Sequence, residues 1–381
     1  MKAVSVHLIA AARPNFMKIA PLYHALVREP WCRPAIVHTG QHYDANMSDA
    51  FFRDLRLPVP HFHLEVGSGT HAEQTGRVMI EYEKVAGRER PDWIVVVGDV
   101  NSTAACAMVG AKSWIPVIHL EAGLRSGDRR MPEEINRLVT DSICDVLWTP
   151  SPDADENLAR EGIPTDRIDR VGNIMIDSFE MMRATIEADS TRAAMGLGPK
   201  TYAVVTLHRP SNVDRREDLV PLVTQLVAIS RALPLVFSIH PRTRRKLEEF
   251  GQFEVLERAG ATWFSDDSAG RSAPIILTEP LGYVQFMNLV IDARAVITDS
   301  GGVQEESTYL GIPCMTLREN TERPVTVTEG TNRLVRPEDL GKAAHEVLEG
   351  RWSSGRKPEL WDGRTASRCV AALLRRDSSR A

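Results

Sequence analysis

Residues 93–123 read WIVVVGDVNSTAACAMVGAKSWIPVIHLEAG, and they decide the architecture. The run WIVVV (93–97) is unbroken and β-branched, the pattern of a strand covered on both faces. TAACAMVGAKS (103–113) is helix-prone, with Asn101, Ser102 or Thr103 as its expected cap, and PVIHLEAG (116–123) is a second apolar strand. A helix placed between two such strands implies parallel pairing, since the chain must travel back along the sheet before pairing again. Upstream lie the strand candidates AVSVHLIAA (3–11) and AIVHTG (35–40), with the helical pattern NFMKIAPLYHALVR (15–28) between them. A second series follows near residue 200, with YAVVTLHRP (202–210), LVFSIHP (235–241), IILTEP (275–280) and AVITDSGG (295–302). The expectation is an α/β chain of two Rossmann-like doubly wound domains, 1–175 and 200–362, facing a central cleft. The segment 175–200 is helical or polar and ends in the turn signals of GLGPK, which places the junction there.

Length and composition agree with two domains. The chain has 381 residues, 43% hydrophobic and 25% charged, with a formal net charge of -5 spread along it. No basic block suggests a nucleic-acid partner. Cys32, Cys106, Cys144, Cys314 and Cys369 are odd in number and scattered, without a CxxC pair, which argues against a disulfide framework or zinc knuckle. The apolar start ends at Pro14 and reads as a first strand rather than a signal peptide, and no window approaches a membrane span. A cytoplasmic location is expected.

In doubly wound sheets ligands bind beyond the carboxyl ends of the strands, so the residue after each strand is where chemistry is sought. After the first strand come Arg13, Pro14 and Lys18. Pro14 suits a helix start, and both cations are expected to face an anion there, although a solvated basic pair has the same spacing. Asp99 follows WIVVV, as a cap or as a catalytic group, and Glu121 follows the next strand. MPEEINR (131–137) then opens a helix with Glu133 in its first turn. Acidic first turns also arise from the helix dipole, and Glu133 with Arg137 has ordinary ion-pair spacing. Taken together, Asp99, Glu121 and Glu133 bring three acidic groups toward one cleft, where burial would separate acid from base roles.

The second half carries a different constellation. Ser300, Gly301 and Gly302 open a helix after the strand AVIT, and small residues with free amides there suit a phosphate, with Glu306 one turn on for ribose hydroxyls. Neither GxGxxG nor GxxxxGK[ST] is present, which argues against nucleoside-triphosphate hydrolysis. His208, Arg209 and His240 also follow strands, whereas Phe286 fits a core position on pattern alone. The triplet His61-Phe62-His63 is rejected as a metal site, because strand alternation parts its rings from carboxylate or cysteine partners.

These segments resemble the non-hydrolysing UDP-N-acetylglucosamine 2-epimerases along nearly the whole chain. The likeness is carried by RPNFMKIAPL, HTGQHYDANMS, HAEQTGR, VVGDVNST, HLEAGLRSGDRRMPEEINR, VGN, LHRPSNVD, IHPRT, EPLGYVQF, TDSGGVQEES and LRENTERPVT, in this order. The resemblance implies a GT-B-like fold in which the final helix, 363–381, completes the first domain. It implies expulsion of UDP to leave 2-acetamidoglucal, then re-addition, with no cofactor and no metal. By resemblance Asp99, Glu121 and Glu133 are acid–base groups, with His208 beside the reacting sugar. Arg13, Lys18, Arg209, Ser300, Gly301 and Gly302 would hold phosphates, Glu306 would bind ribose, and Phe286 would pack near uracil. Arg323 and His240 join the same set. The partner is a UDP-sugar, and a homodimer is the family's habit.

Three departures from the family pattern matter. Ala11-Ala12 stands where many members have glycine, and His208-Arg209-Pro210 replaces an arginine doublet. In members with an activating second substrate site, Gln41, His42 and Gln74 would correspond to it, but Glu73 takes the place of an arginine there. A carboxylate repels a second diphosphate, so weak or absent substrate activation is expected. The alternatives are an epimerase of UDP-2,3-diacetamido-2,3-dideoxyglucuronate, a hydrolysing epimerase, a GT-B glycosyltransferase and a non-catalytic UDP-sugar sensor.

Overall fold

The computed structural model describes residues 3–40, 54–264 and 273–380. The chain divides into two compact units, Met1–Met182 with Glu359–Ala381, and Arg183–Pro358. In the first unit the strands are β1 (Val4–Ala10), β2 (Cys32–His38), β3 (Phe62–His63), β4 (Trp93–Val97), β5 (Val117–Leu120), β6 (Val146–Thr149) and β7 (Ile168–Arg170). They form one parallel sheet in the order β3-β2-β1-β4-β5-β6-β7. The order reverses between β1 and β4, which makes that junction the sheet's switch point. Every residue of β4 and β5 is buried, as their unbroken apolar runs require.

The helix Arg13–Leu26 runs through Pro21, a residue that cannot donate to the carbonyl four positions back. That carbonyl, on Met17, accepts instead from Ser178 Oγ at 2.5 Å, so the vacant backbone acceptor becomes a tertiary tie. The C-terminal helix Thr365–Ser378 packs on Arg13–Leu26. Its start is held by Asp177, which accepts from the amides of Thr365 and Ala366.

The second unit repeats the scheme with β8 (Ala203–Thr206), β9 (Leu235–Ser238), β10 (Ala261–Trp263), β11 (Ile275–Thr278), β12 (Ala295–Thr298), β13 (Cys314–Thr316) and β14 (Asn332–Leu334). Its parallel order is β10-β11-β9-β8-β12-β13-β14, with the reversal between β8 and β12. Both units are therefore doubly wound α/β layers, the fold class read from the sequence. Each has its own core, one around Ile94, Val96, Leu147 and Tyr82, the other around Val205, Phe237, Leu226 and Ile297. No helix among the described residues is long and apolar enough to cross a membrane.

Candidate active site

Beside the first switch point β4 is followed by Gly98-Asp99, and the neighbouring β5 is followed by Glu121. Gly98 has φ +69, and a Cβ there would lie 3.3 Å from Lys18 Nζ and 3.6 Å from a Glu121 oxygen. Glycine thus lets both side chains close over the strand end. Lys18 is buried in the second turn of its helix and forms an ion pair with Glu121 Oε2. Glu121 is itself buried and takes φ +72, a left-handed conformation unusual for a residue with a side chain. Such a backbone costs roughly 1–3 kcal/mol and persists only where its surroundings over-determine it. Here the amides of Glu121 and Ala122 both donate to the Trp148 carbonyl at 3.1 Å.

Asp99 Oδ2 meets Arg137 at 2.6 Å and 3.1 Å, a fork of two donors on one oxygen. Arg137 also donates to Glu134 at 2.5 Å. Glu134 is locked further by the amides of Ser126 and Gly127. Its carboxyl sits below the usual range: burial pushes it upward, but those amides and the Arg137 guanidinium outweigh burial. Asn15 closes the other side of the switch point, accepting from the Ala11 and Ala12 amides and donating to the Val97 carbonyl at 3.1 Å. It thereby fixes the loop after β1 against the end of β4.

In the second unit Asp299 performs the equivalent tie with inverted polarity. It is wholly buried after β12 and accepts from the amides of His208 and Arg209 and from Asn212 Nδ2. Its second oxygen lies 2.7 Å from His208 Nδ1. Burial opposes the charge on Asp299, but His208 and these donors hold its carboxyl below the usual range. With Nδ1 engaged, Nε2 of the half-exposed His208 ring is left for chemistry. His240 packs 5.6 Å away, centroid to centroid, and caps the helix Pro241–Glu249 by accepting from the Arg242 amide. Burial and the neighbouring His208 lower its pKa.

The helix Gly301–Leu310 starts with Ser300 as its N-cap. A Cβ on Gly301 would fall 2.8 Å from Arg323 Nη1, so the guanidinium lies directly against this helix start. Arg323 is held there by Glu305 at 2.7 Å and Glu322 at 3.6 Å. Glu322 also takes both terminal nitrogens of Arg318 at 2.8 Å. One turn on, Glu306 accepts from the Tyr283 hydroxyl at 2.7 Å. Burial pushes the Glu306 carboxyl up to about 8, against the Tyr283 hydrogen bond and with the help of Glu305. The arrangement sets a helix N-terminus and a guanidinium beside a buried acid, which suits a diphosphate and a sugar hydroxyl.

Residues 24–374 match the family model of the UDP-N-acetylglucosamine 2-epimerases. The chain belongs to this family. The UDP-N-acetylglucosamine 2-epimerase of Methanocaldococcus jannaschii is 41% identical over 97% of this chain and 99% of that protein. The UDP-2,3-diacetamido-2,3-dideoxy-D-glucuronate 2-epimerase of Pseudomonas aeruginosa is 37% identical over 96% and 98%. A crystal structure of the M. jannaschii enzyme with UDP-GlcNAc and UDP superposes with a TM-score of 0.84 at 41% identity, covering 97% of this chain and 99% of that one.

Against this 2-epimerase framework, several expectations from sequence need correcting. Arg13 and Lys18 do not stand together as an anion pair: five residues place them about 140° apart on a helix, so Lys18 turns inward to Glu121 while Arg13 is exposed. Arg137 joins Glu134 and Asp99 rather than pairing with Glu133, which is exposed beside its buried neighbour. The helix after Asp99 has Val100 at its N-cap position, and Asn101 instead binds Gln74 and His71. Asp99 is likewise not a cap. Phe286 is half-buried in the helix Tyr283–Val290. Gln41 and His42 lie outside the described residues, whereas Gln74 is buried on the helix His71–Glu89. Glu73, read as a repulsive charge, completes a capping box with Thr70. Asp141, Glu134, Asp299, Glu305 and Glu322 were missed as organisers. A helix-interior or strand-end acid gives no sequence signal that tells an organiser from a surface charge.

Proposed function

We propose that this chain interconverts UDP-N-acetylglucosamine and UDP-N-acetylmannosamine by inverting carbon 2 of the sugar. The observation that carries the reading is the pair Asp99 and Glu121 at adjacent strand ends of a switch point, each set against its own buried cation, in a chain of this family. The carbon-2 proton is not acidic enough for simple abstraction. Elimination avoids a free carbanion: a carboxylate takes the proton as the carbon 1–oxygen bond to UDP breaks, and a carbon 1–carbon 2 double bond forms. A proton then arrives on the opposite face of carbon 2 while a UDP oxygen reattacks carbon 1. Asp99, Glu121 and Glu133 are the acid–base set, with His208 assisting at the departing diphosphate. Arg323, Arg209, Arg13, the Ser300 hydroxyl and the amides of Gly301 and Gly302 hold the diphosphate, where preorganised donors stabilise developing charge. Glu306 receives ribose hydroxyls, with Phe286 at the base and His240 alongside. Lys18 sets Glu121. The protein is proposed to work as a cytoplasmic homodimer, with little activation by a second substrate molecule.

The test is incubation with UDP-N-acetylglucosamine in deuterium oxide, followed by proton NMR. UDP-N-acetylmannosamine carrying deuterium at carbon 2 is expected. Free N-acetylmannosamine would place the chain among hydrolysing enzymes. Absence of both exchange and product would move the proposal to the diacetamidoglucuronate substrate, which the P. aeruginosa relative acts on by name.

A further inference from the structure

A polar strap runs beneath the two strand-end carboxylates. His119 lies in β5 with no exposed surface, its Nε2 2.8 Å from the Gly98 carbonyl and its Nδ1 2.5 Å from Asp141 Oδ1. A carbonyl only accepts, so Nε2 is the donor to Gly98. Asp141, equally buried, accepts with its other oxygen from the Gly123 amide at 3.0 Å and from Arg125 Nη1 at 2.7 Å. Arg125 is anchored in turn by both oxygens of Glu161. One continuous chain of contacts thus joins the peptide just before Asp99 to the peptide two residues after Glu121.

The β4–β5 pairing ends at Val97 and Leu120, so both carboxylates stand beyond the regular ladder. Past the ladder the main-chain ties are the Gly98 amide to the Leu120 carbonyl at 3.2 Å and the Glu121 and Ala122 amides to the Trp148 carbonyl, and the strap adds a side-chain tie that reaches both strand ends. Glu121 also holds a left-handed backbone that needs external support. Stability alone does not account for the strap. A buried charged network carries a desolvation cost, and apolar residues of equal volume often do as well or better.

We propose that His119 and Asp141 are positioning residues that set Asp99 and Glu121 against each other for proton transfer; this rests on the epimerase reading above. They act through the Gly98 and Gly123 peptides and do not touch the sugar. Displacing a catalytic group by about 1 Å costs on the order of a hundredfold in rate.

Two substitutions divide the strap. His119→Asn keeps a donor toward Asp141 and loses the one toward Gly98, whereas His119→Gln does the reverse. Asp141→Asn keeps the shape and removes the charge. In the full-length protein each is expected to lower kcat about tenfold to hundredfold, with KM and UDP affinity within about twofold. The His119→Asn/Asp141→Asn double variant should be no slower than the worse single one, because the parts act as a unit. Amide hydrogen exchange in ligand-free protein should show protection lost together at Gly123, whose amide donates to Asp141, and at Gly98, whose amide donates to the Leu120 carbonyl from the peptide next to the one His119 holds. Unchanged kcat in variants that fold, whatever their Tm, overturns the proposal. If His119→Asn fails to fold, His119→Gln and Asp141→Asn decide. Should the wild type lack epimerase activity, exchange still separates the two ideas. Coupled loss of protection keeps the strap while the function falls, and unchanged protection removes the strap regardless.

Discussion

The two switch points use the same topology and opposite chemistry. In the first unit, strand-end carboxylates are tied to cations: Glu121 to Lys18, and Asp99 to Arg137, which also holds the helix residue Glu134. In the second, Asp299 is tied to amides and to His208, and Glu306 accepts from the Tyr283 phenol. The first arrangement holds its acids in place with fixed positive charge, as proton transfer at a set geometry requires. The second gathers a helix N-terminus, the Arg323 guanidinium and a buried acid raised to about 8, a set suited to the proposed binding of a diphosphate and a sugar hydroxyl. A fold therefore supplies the position, and the residues one or two places past each strand supply the role.

The sharpest way to break this contrast is to neutralise the first set. Asp99→Asn and Glu121→Gln should each lower the rate of carbon-2 deuterium exchange by about 10²–10⁴-fold while UDP binding, measured by calorimetry, stays near wild type. An equal loss of UDP affinity would erase the distinction between the units. Next in size, Arg323→Ala should weaken UDP binding by about 10–100-fold, the scale of one charged hydrogen bond, with a smaller effect on the exchange rate once the site is saturated.

A third prediction uses the raised Glu306 acid. The folded protein keeps a proton that the unfolded chain has released, so ligand-free stability should fall as pH rises from the ordinary carboxyl value of 4.5 through about 8, then level off. Glu306→Gln should flatten this slope in thermal melts across that range. Ribose hydroxyls donate best to the ionised form, so UDP affinity of the wild type should rise with pH up to about 8. A flat affinity profile would show that Glu306 is not the ribose acceptor. The smallest effect belongs to Glu73→Gln: a slightly lowered Tm from the weakened capping box, with hyperbolic kinetics before and after. Sigmoidal kinetics in the wild type that vanish on Gln74→Ala would refute the expected lack of substrate activation.

Much of the fold was legible because its signals are local. Unbroken apolar runs alternating with helical periods specify parallel strands and crossovers, and Asp99, Glu121, His208 and Ser300 fall one or two residues beyond strands whose ends are visible in the chain. The family likeness sharpened this into a specific chemistry. Less was legible where two neighbours share a residue type. Glu133 and Glu134 are equivalent in the sequence, yet one is exposed and the other is among the most enclosed acids of the chain. The 100° step between consecutive helical residues decides it, once the helix docks with Arg137 inward.

By itself, then, the sequence determined the two parallel α/β layers, the switch points and the kinds of residue gathered there, because strand and helix periods are properties of adjacent residues. Only the tertiary structure decided the partners: Lys18 with Glu121 rather than beside Arg13, Arg137 with Asp99, His119 with the Gly98 carbonyl, and Glu306 with a carboxyl that burial pushes up. Lys18 and Glu121 lie 103 residues apart. Whether two such side chains meet, and how much water is excluded around an acid, depends on the packing of whole elements and not on any local pattern.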